Sequence, residues 1–187
     1  MLTHVNNDRA FFSVESGNAA PVRWNERIWE VAIAHSKDMC EREYFEHVNP
    51  DNEGPTDRGN RMGLNLPLAE NISLNFDPGA AEYAFMAEPT CEGHRGNILS
   101  PLNVEVGIGY HVCNNPGYQW GEHHHITQNF RMDFDKREAE FCQDPQNACE
   151  VPPNPPSTAG CPDQLQRWGF CDPVDESLLD EWNCPRD

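Results

Sequence analysis

Eight cysteines in 187 residues set the first constraint on this chain, because each sulfur must either find a partner or stay a thiol. None sits in a Cys-x-x-Cys pair, so a zinc ribbon or a thioredoxin-type redox motif is not supported. An even number of widely spaced cysteines in a loop-rich chain reads as a disulfide set, and disulfides require an oxidising compartment. Cys40, Cys91 and Cys113 lie before residue 137, and Cys142, Cys149, Cys161, Cys171 and Cys184 lie after it. Both counts are odd, so full pairing demands at least one bridge between the two parts. The spacing does not assign the pairs; Cys40 with Cys91 is one option.

The charge narrows the partners. Thirty-one acidic residues against 13 basic ones give a net charge of -18. Binding to nucleic acid needs a basic surface that displaces counterions, so it is excluded as an expectation. Anionic membranes repel such a chain, and divalent cations are drawn to it. No apolar run is long enough for a transmembrane segment. Met1-Leu2-Thr3-His4 runs directly into polar sequence with no signal peptide, so a leader removed ahead of Met1 is expected. Cysteines and charge together place the protein as secreted, extracellular or in a bacterial envelope.

Hydrophobic periodicity supplies the elements. Leu2–Phe12 suits a short helix. Asn25 is a good N-cap, and Ile28, Val31, Ala32, His35 and Met39 recur at three- and four-residue steps, predicting a helix from Glu26 to about Glu43. Residues 49–55 form a loop by their Asn, Pro and Gly content, and Thr56–Met62 follow as one or two helical turns. Asp77-Pro78 starts a further helix that Pro89 stops, with Tyr83, Met86 and Ala87 on one face. Val104–Val112 alternates as a strand and Ile126–Phe130 reads as a second. Helices early and paired strands late indicate an α+β layered domain. Trp24, Ile28, Val31, Ala32, Met39, Ile72, Met86, Ile98, Val106, Ile108 and Phe130 are the expected core. After about Arg137 a proline-rich linker at 151–157 leads into a stretch with few aliphatic residues, which cannot bury a core of its own.

Four stretches in order carry a family resemblance. They are residues 4–10, with their Asn-x-x-Arg core; residues 21–25, continued by 34–39 and 44–50; residues 69–72; and residues 93–99, continued by 106–110 and 127–130. Together the stretches resemble the CAP superfamily of cysteine-rich secretory, antigen 5 and pathogenesis-related proteins, and its bacterial SCP-type branch most closely. The resemblance covers about residues 2–134. It implies a three-layer α/β/α sandwich with a central antiparallel sheet over residues 1–137, and leaves residues 138–187 as an acidic, cysteine-rich C-terminal tail docked by disulfides. It also implies a cleft built around His47, Glu70, Glu88 and His94. Phe85-Met86-Ala87-Glu88 stands where relatives carry Trp-x-x-Glu; Glu82 and Glu92 are the neighbouring alternatives to Glu88. Asn71, Arg95 and Asn97 fall in the same motifs as architectural residues.

Such a tetrad has three chemical uses. Neutral imidazoles of His47 and His94 can bind a divalent metal, zinc first, with the carboxylates as ligands or supports. They can relay protons, or the four groups can satisfy one another as a buried network. No catalytic residue is assigned: Ser36, Ser73 and Ser100 lack the setting of a nucleophile elbow. His123-His124-His125 is read as an exposed loop entering the last strand, with His125 in a packing role. Asn71-Ile72-Ser73 matches a glycosylation sequon, but its place in the motif favours a structural Asn71. The expected function is a secreted binding protein whose cleft holds a divalent metal or small ligand. A metal-dependent hydrolase using His47 and His94, or a disulfide-hardened envelope or matrix protein, are the alternatives. The resemblance leaves the partner open among protein, lipid or sterol, and glycan.

Overall fold

The structure is a computed structural model that describes residues 1–75, 77–89, 93–114 and 122–133. The boundary expected at 137, the tail, Cys91 and the turn ahead of β4 lie outside these residues.

The described chain runs α1 (Leu2–Phe11), β1 (Arg23–Trp24), α2 (Glu26–Glu41), α3 (Pro55–Arg61), β2 (Leu68–Asn75), α4 (Pro78–Met86), α5 (Gly93–Leu99), β3 (Asn103–Cys113) and β4 (His123–Met132). Local chemistry fixes several ends. Asn25 Oδ1 accepts from the amides of Arg27 and Ile28 and so starts α2. Asp77 does the same for Gly79 and Ala80, ahead of Pro78 in the first turn of α4.

The four strands form one sheet in the order β1-β3-β4-β2. β3–β4 and β4–β2 are antiparallel. The two-residue β1 joins β3 in parallel, the one departure from an antiparallel sheet. On one face, Val5 of α1, Ala81, Phe85 and Met86 of α4, and Ile98 and Leu99 of α5 pack with Val106, Ile108, Ile126 and Phe130. On the other face lie α2 and α3, where Ile28 and Val31 meet Leu68, Met62 and Leu64. The result is the three-layer sandwich.

Glycines decide how closely α2 approaches. A Cβ on Gly107 would fall 2.0 Å from the Trp29 amide nitrogen, and one on Gly109 would fall 2.3 Å from the Ala32 carbonyl carbon. Only a strand with no side chain at these two positions lets the helix backbone lie directly on β3. Ser36 then reaches the Gly109 carbonyl at 3.4 Å and Thr127 Oγ1 at 2.8 Å. The face of β4 toward α2 is therefore polar and buried: His123, His125, Thr127 and Asn129 alternate along it.

The Asn-x-x-Arg core of α1 works by hydrogen bonds. Asn6 exchanges two with the backbone of Val22. Arg9, 2% exposed, donates to the carbonyls of Ala20, Ile98, Ser100 and Asn103. One guanidinium thereby ties α1 to both the β1 approach and the α5–β3 turn.

Three expectations need correction. Trp24 is 40% exposed, because β1 is an edge strand and the indole lies outward against Glu26; Val22, at 2%, takes the buried place. In α4 the buried face is Ala81, Glu82, Phe85 and Met86, while Tyr83 is 49% exposed. The suggested Cys40–Cys91 pairing does not form, since Cys40 is bonded to Cys113. That bridge closes a 73-residue separation and fastens the end of α2 to the end of β3. The other expected core residues are all buried.

Candidate functional site

The loop after α2 delivers His47. Tyr44 donates its hydroxyl to Asp38 Oδ2 at 2.5 Å and lies 3.3 Å from His35 Nδ1, which anchors the chain as it leaves the helix. Asn49 is buried and accepts the amides of Asp51 and Glu53 on its side-chain oxygen, which closes the following turn. Arg58 of α3 donates to the His47 carbonyl at 2.7 Å and the Glu53 carbonyl at 2.9 Å. The backbone around His47 is held from both sides while its ring stays half exposed.

Glu70 of β2 is the buried hub. Its Oε1 accepts from His47 Nδ1 at 3.0 Å and lies 3.8 Å from His35 Nε2. Its Oε2 accepts from Arg58 Nη2 and from Asn129 Nδ2, the latter at 2.9 Å. Burial alone would raise the Glu70 carboxyl; the His47 hydrogen bond and the Arg58 charge outweigh it and hold the group below the usual carboxylate range. The same hydrogen bond raises His47. His35, buried and without a full ion pair, is pushed down to about 4 by desolvation.

The second pair is Glu88 with His94. Glu88 Oε1 bonds His94 Nδ1, and Oε2 accepts the His94 backbone amide at 2.5 Å. Gly93 has φ +47, and a Cβ there would lie 2.2 Å from Glu88 Oε2. A side chain at 93 would thus push the carboxylate away. The Phe85 ring lies 4.6 Å from the His94 ring. Glu82, the alternative partner, is turned into the core instead, where it accepts from Gln128 and meets Asp8. Glu92 lies outside the described residues.

Asn71 and Asn97 join the two pairs. Asn71 Nδ2 donates to the His94 carbonyl at 3.1 Å and to Gln128 Oε1 at 2.9 Å. Asn97 donates to the Glu70 carbonyl at 3.2 Å and to Asn71 Oδ1 at 2.8 Å. Asn71 is fully buried, which leaves no room for a glycan at the sequon. Arg95 donates to both Glu15 oxygens and to the Met86 carbonyl, and stacks 4.4 Å over Phe12.

The four tetrad residues therefore form two imidazole–carboxylate pairs on adjoining elements, linked through Asn71 and Asn97. Each imidazole has Nδ1 bonded to a carboxylate, and neither Nε2 has a hydrogen-bond partner among the described residues. That is the arrangement in which a carboxylate fixes the tautomer and leaves Nε2 as the ligating atom. The tetrad is not a tight four-atom nest, though. Among the described residues, the group of three donor side chains within 4.8 Å of one another is Cys113, His123 and His125. His123 is buried in β4 at 3% exposure, where an exposed loop was expected, and His125, at 0%, takes the packing role expected of it. The strand begins three residues earlier than Ile126, and two of the three histidines point under α2.

Sequence reasoning missed Arg58, His35 and Asn129 as supports of Glu70. Nothing in an Arg on a seven-residue helix marks it in advance. A cavity of about 540 Å³ between α2 and α3 is lined by His35, Asp38, Asn49, Glu53, Arg58 and Met62, among others, and by none of the tetrad. No helix of the described residues is long and apolar enough to cross a membrane.

The fold has counterparts among known proteins. An extracellular protein containing a SCP domain from Bacillus anthracis is 30% identical, with a TM-score of 0.50, and the match covers 62% of this chain and 35% of that one. An outer surface protein from Borrelia burgdorferi shares the fold at a TM-score of 0.54 and 10% identity, over 71% of this chain and 90% of that one. Two uncharacterised Bacillus subtilis proteins, YkwD and the membrane protein YlbC, are each 34% identical over 91 residues, 48% of this chain. The match spans only 35% of YkwD and 26% of YlbC. The profile of the cysteine-rich secretory protein family, CAP, matches residues 2–130, and the chain belongs to that family.

Proposed function

We propose that this domain is a secreted, non-enzymatic binding module whose cleft takes a divalent cation, zinc first, through Nε2 of His47 and His94. The observation that carries the reading is the shared construction of the two pairs: a carboxylate on Nδ1 of each ring, and a backbone clamp on each residue. Glu70 and Glu88 orient the rings and make them better ligands. The surplus of acidic residues raises the local concentration of cations. An ion held by two protein nitrogens keeps positions for water or for a ligand with oxygen donors.

Serine-based hydrolysis is the weaker reading for this site. Ser36 is buried and bonded to Thr127, and Ser73 lies within β2, so neither serves as a nucleophile. Metal analysis of the protein purified without chelators tests the proposal. Stoichiometric zinc in the wild type and its loss in His47→Ala/His94→Ala, with the fold retained by circular dichroism, is the expected result. Equal metal content in both proteins contradicts it.

A further inference from the structure

At the far end of the sheet from Glu70, β3 finishes at Cys113 and β4 begins at His123, and the two residues are paired across the ladder. His125, two residues on, points to the same face. Cys40, at the end of α2, is covalently joined to Cys113. The donor atoms of Cys113, His123 and His125 all lie within 4.8 Å of one another. All three residues are buried, at 1%, 3% and 0% exposure.

His125 stands out among them. Both of its ring nitrogens are buried with no hydrogen-bond partner among the described residues. A fully buried imidazole with neither nitrogen satisfied is rare in a native protein and asks for an explanation. The rings of His123 and His125 lie 5.1 Å apart. Packing alone would be served better by an apolar residue, which carries no polar atoms to strand. Two imidazoles and two sulfurs at one corner are instead the donor set of a tetrahedral zinc site.

We propose that Cys40, Cys113, His123 and His125 form a second metal site, a Cys2His2 zinc site that becomes competent when the Cys40–Cys113 disulfide is reduced. In the oxidised protein the two sulfurs are spent on each other and cannot act as thiolates. A dithiol reductant supplies two electrons: the S–S bond breaks, each cysteine sulfur gains a proton, and the dithiol leaves as its own disulfide. Zinc then displaces the two thiol protons to solvent and forms two bonds to sulfur and two to nitrogen. Zinc–ligand bonds of roughly 2.0–2.3 Å place ligand atoms roughly 3.5 Å apart, so the Cys113, His123 and His125 donors need close only by small rotations, while Cys40 Sγ, released from Cys113 Sγ, turns in to take the fourth place.

The two states hold the same joint. Disulfide or zinc, the end of α2 stays fastened to the β3–β4 end of the sheet. The four residues thus give one staple that survives a change of redox environment.

The test uses the whole chain reduced with a water-soluble phosphine. The phosphorus becomes a phosphine oxide with oxygen from water, whose two protons go to the sulfurs. Cobalt(II), then zinc in competition, is titrated into wild type, His123→Gln/His125→Gln and Cys40→Ser/Cys113→Ser. His47 and His94 are intact in all three, so the cleft contributes equally, and the histidine variant retains every other thiol. The reduced wild type should show the visible bands of tetrahedral cobalt and the near-ultraviolet band of a cobalt–thiolate bond. It should bind zinc about 100-fold or more tightly than either variant, and oxidised wild type should lack the cobalt–thiolate band. Should reduction unfold the protein, zinc should restore its circular dichroism in wild type and not in the histidine variant. The proposal is overturned if the histidine variant matches reduced wild type in affinity and spectrum. It is equally overturned if the cysteine variant binds zinc as tightly as reduced wild type, or if reduction unfolds the protein and zinc refolds neither wild type nor the histidine variant.

Discussion

The side-chain amide of Asn71 donates to the backbone carbonyl of His94 at 3.1 Å, so the residue next to Glu70 holds the residue paired with Glu88. The same amide bonds Gln128, and its oxygen accepts from Asn97. Replacing Asn71 by Ala strands three buried or half-buried groups. Each such loss costs about 1–3 kcal/mol, so Asn71→Ala should lower unfolding free energy in urea by about 2–5 kcal/mol. An unchanged midpoint would show that the link between the two pairs is not structural.

The buried acids on the opposite face of the sheet predict a pH dependence. Desolvation lifts Asp8 from 3.8 to about 7 and raises Glu82 well above its ordinary value. Folding therefore favours the protonated forms. The unfolded chain loses the Asp8 proton near 3.8 and the folded chain only near 7, so stability present at low pH is lost as pH rises between those values. Asp8→Asn mimics the neutral form and should flatten that decline. Near pH 7 the variant should be more stable than wild type, by on the order of a few kcal/mol. Chemical unfolding at intervals across this range measures it; parallel curves for the two proteins would contradict the account.

Much of the fold was legible in the residues. The α2 stripe of Ile28, Val31, Ala32 and Met39 and the alternation in β3 are strong periodic signals, and both elements formed nearly as expected. β2 escaped because polar residues are buried on both of its faces: Glu70 serves the cleft, and Asn71 serves α5 and Gln128. Period-two alternation presupposes one wet face, and this strand has none. α5 escaped because seven residues with two glycines carry no helical stripe. In the site, His47 and His94 came from motif resemblance. Arg58 and Asn129 could not, since their roles depend on contacts 12 and 59 residues away from Glu70. His123 was misplaced because a run of three histidines looks like solvated loop until the pleat turns alternate residues inward.

Disulfide mapping gives a prediction about the cysteines outside the described residues. With Cys40 and Cys113 joined, parity leaves Cys91 to pair with one of the five cysteines after residue 137. Peptide mapping under non-reducing conditions should find a Cys40–Cys113 peptide and one joining Cys91 to the tail. Free-thiol titration of the denatured, unreduced protein should find none; two or more thiols per chain would contradict full pairing. Cys40→Ala/Cys113→Ala opens a 73-residue separation and should cost about 4 kcal/mol by loop entropy.

The cleft itself is tested most directly by calorimetric titration of the oxidised protein with zinc, in wild type, His47→Ala/His94→Ala and His123→Gln/His125→Gln. In this state the sulfurs of Cys40 and Cys113 are engaged, so only the cleft should bind. Wild type and the β4 variant should bind one zinc with similar affinity, and the cleft variant should lose it by about 100-fold or more. If the β4 variant loses the zinc while the cleft variant keeps it, His47 and His94 are not the metal ligands and the binding reading of the cleft fails.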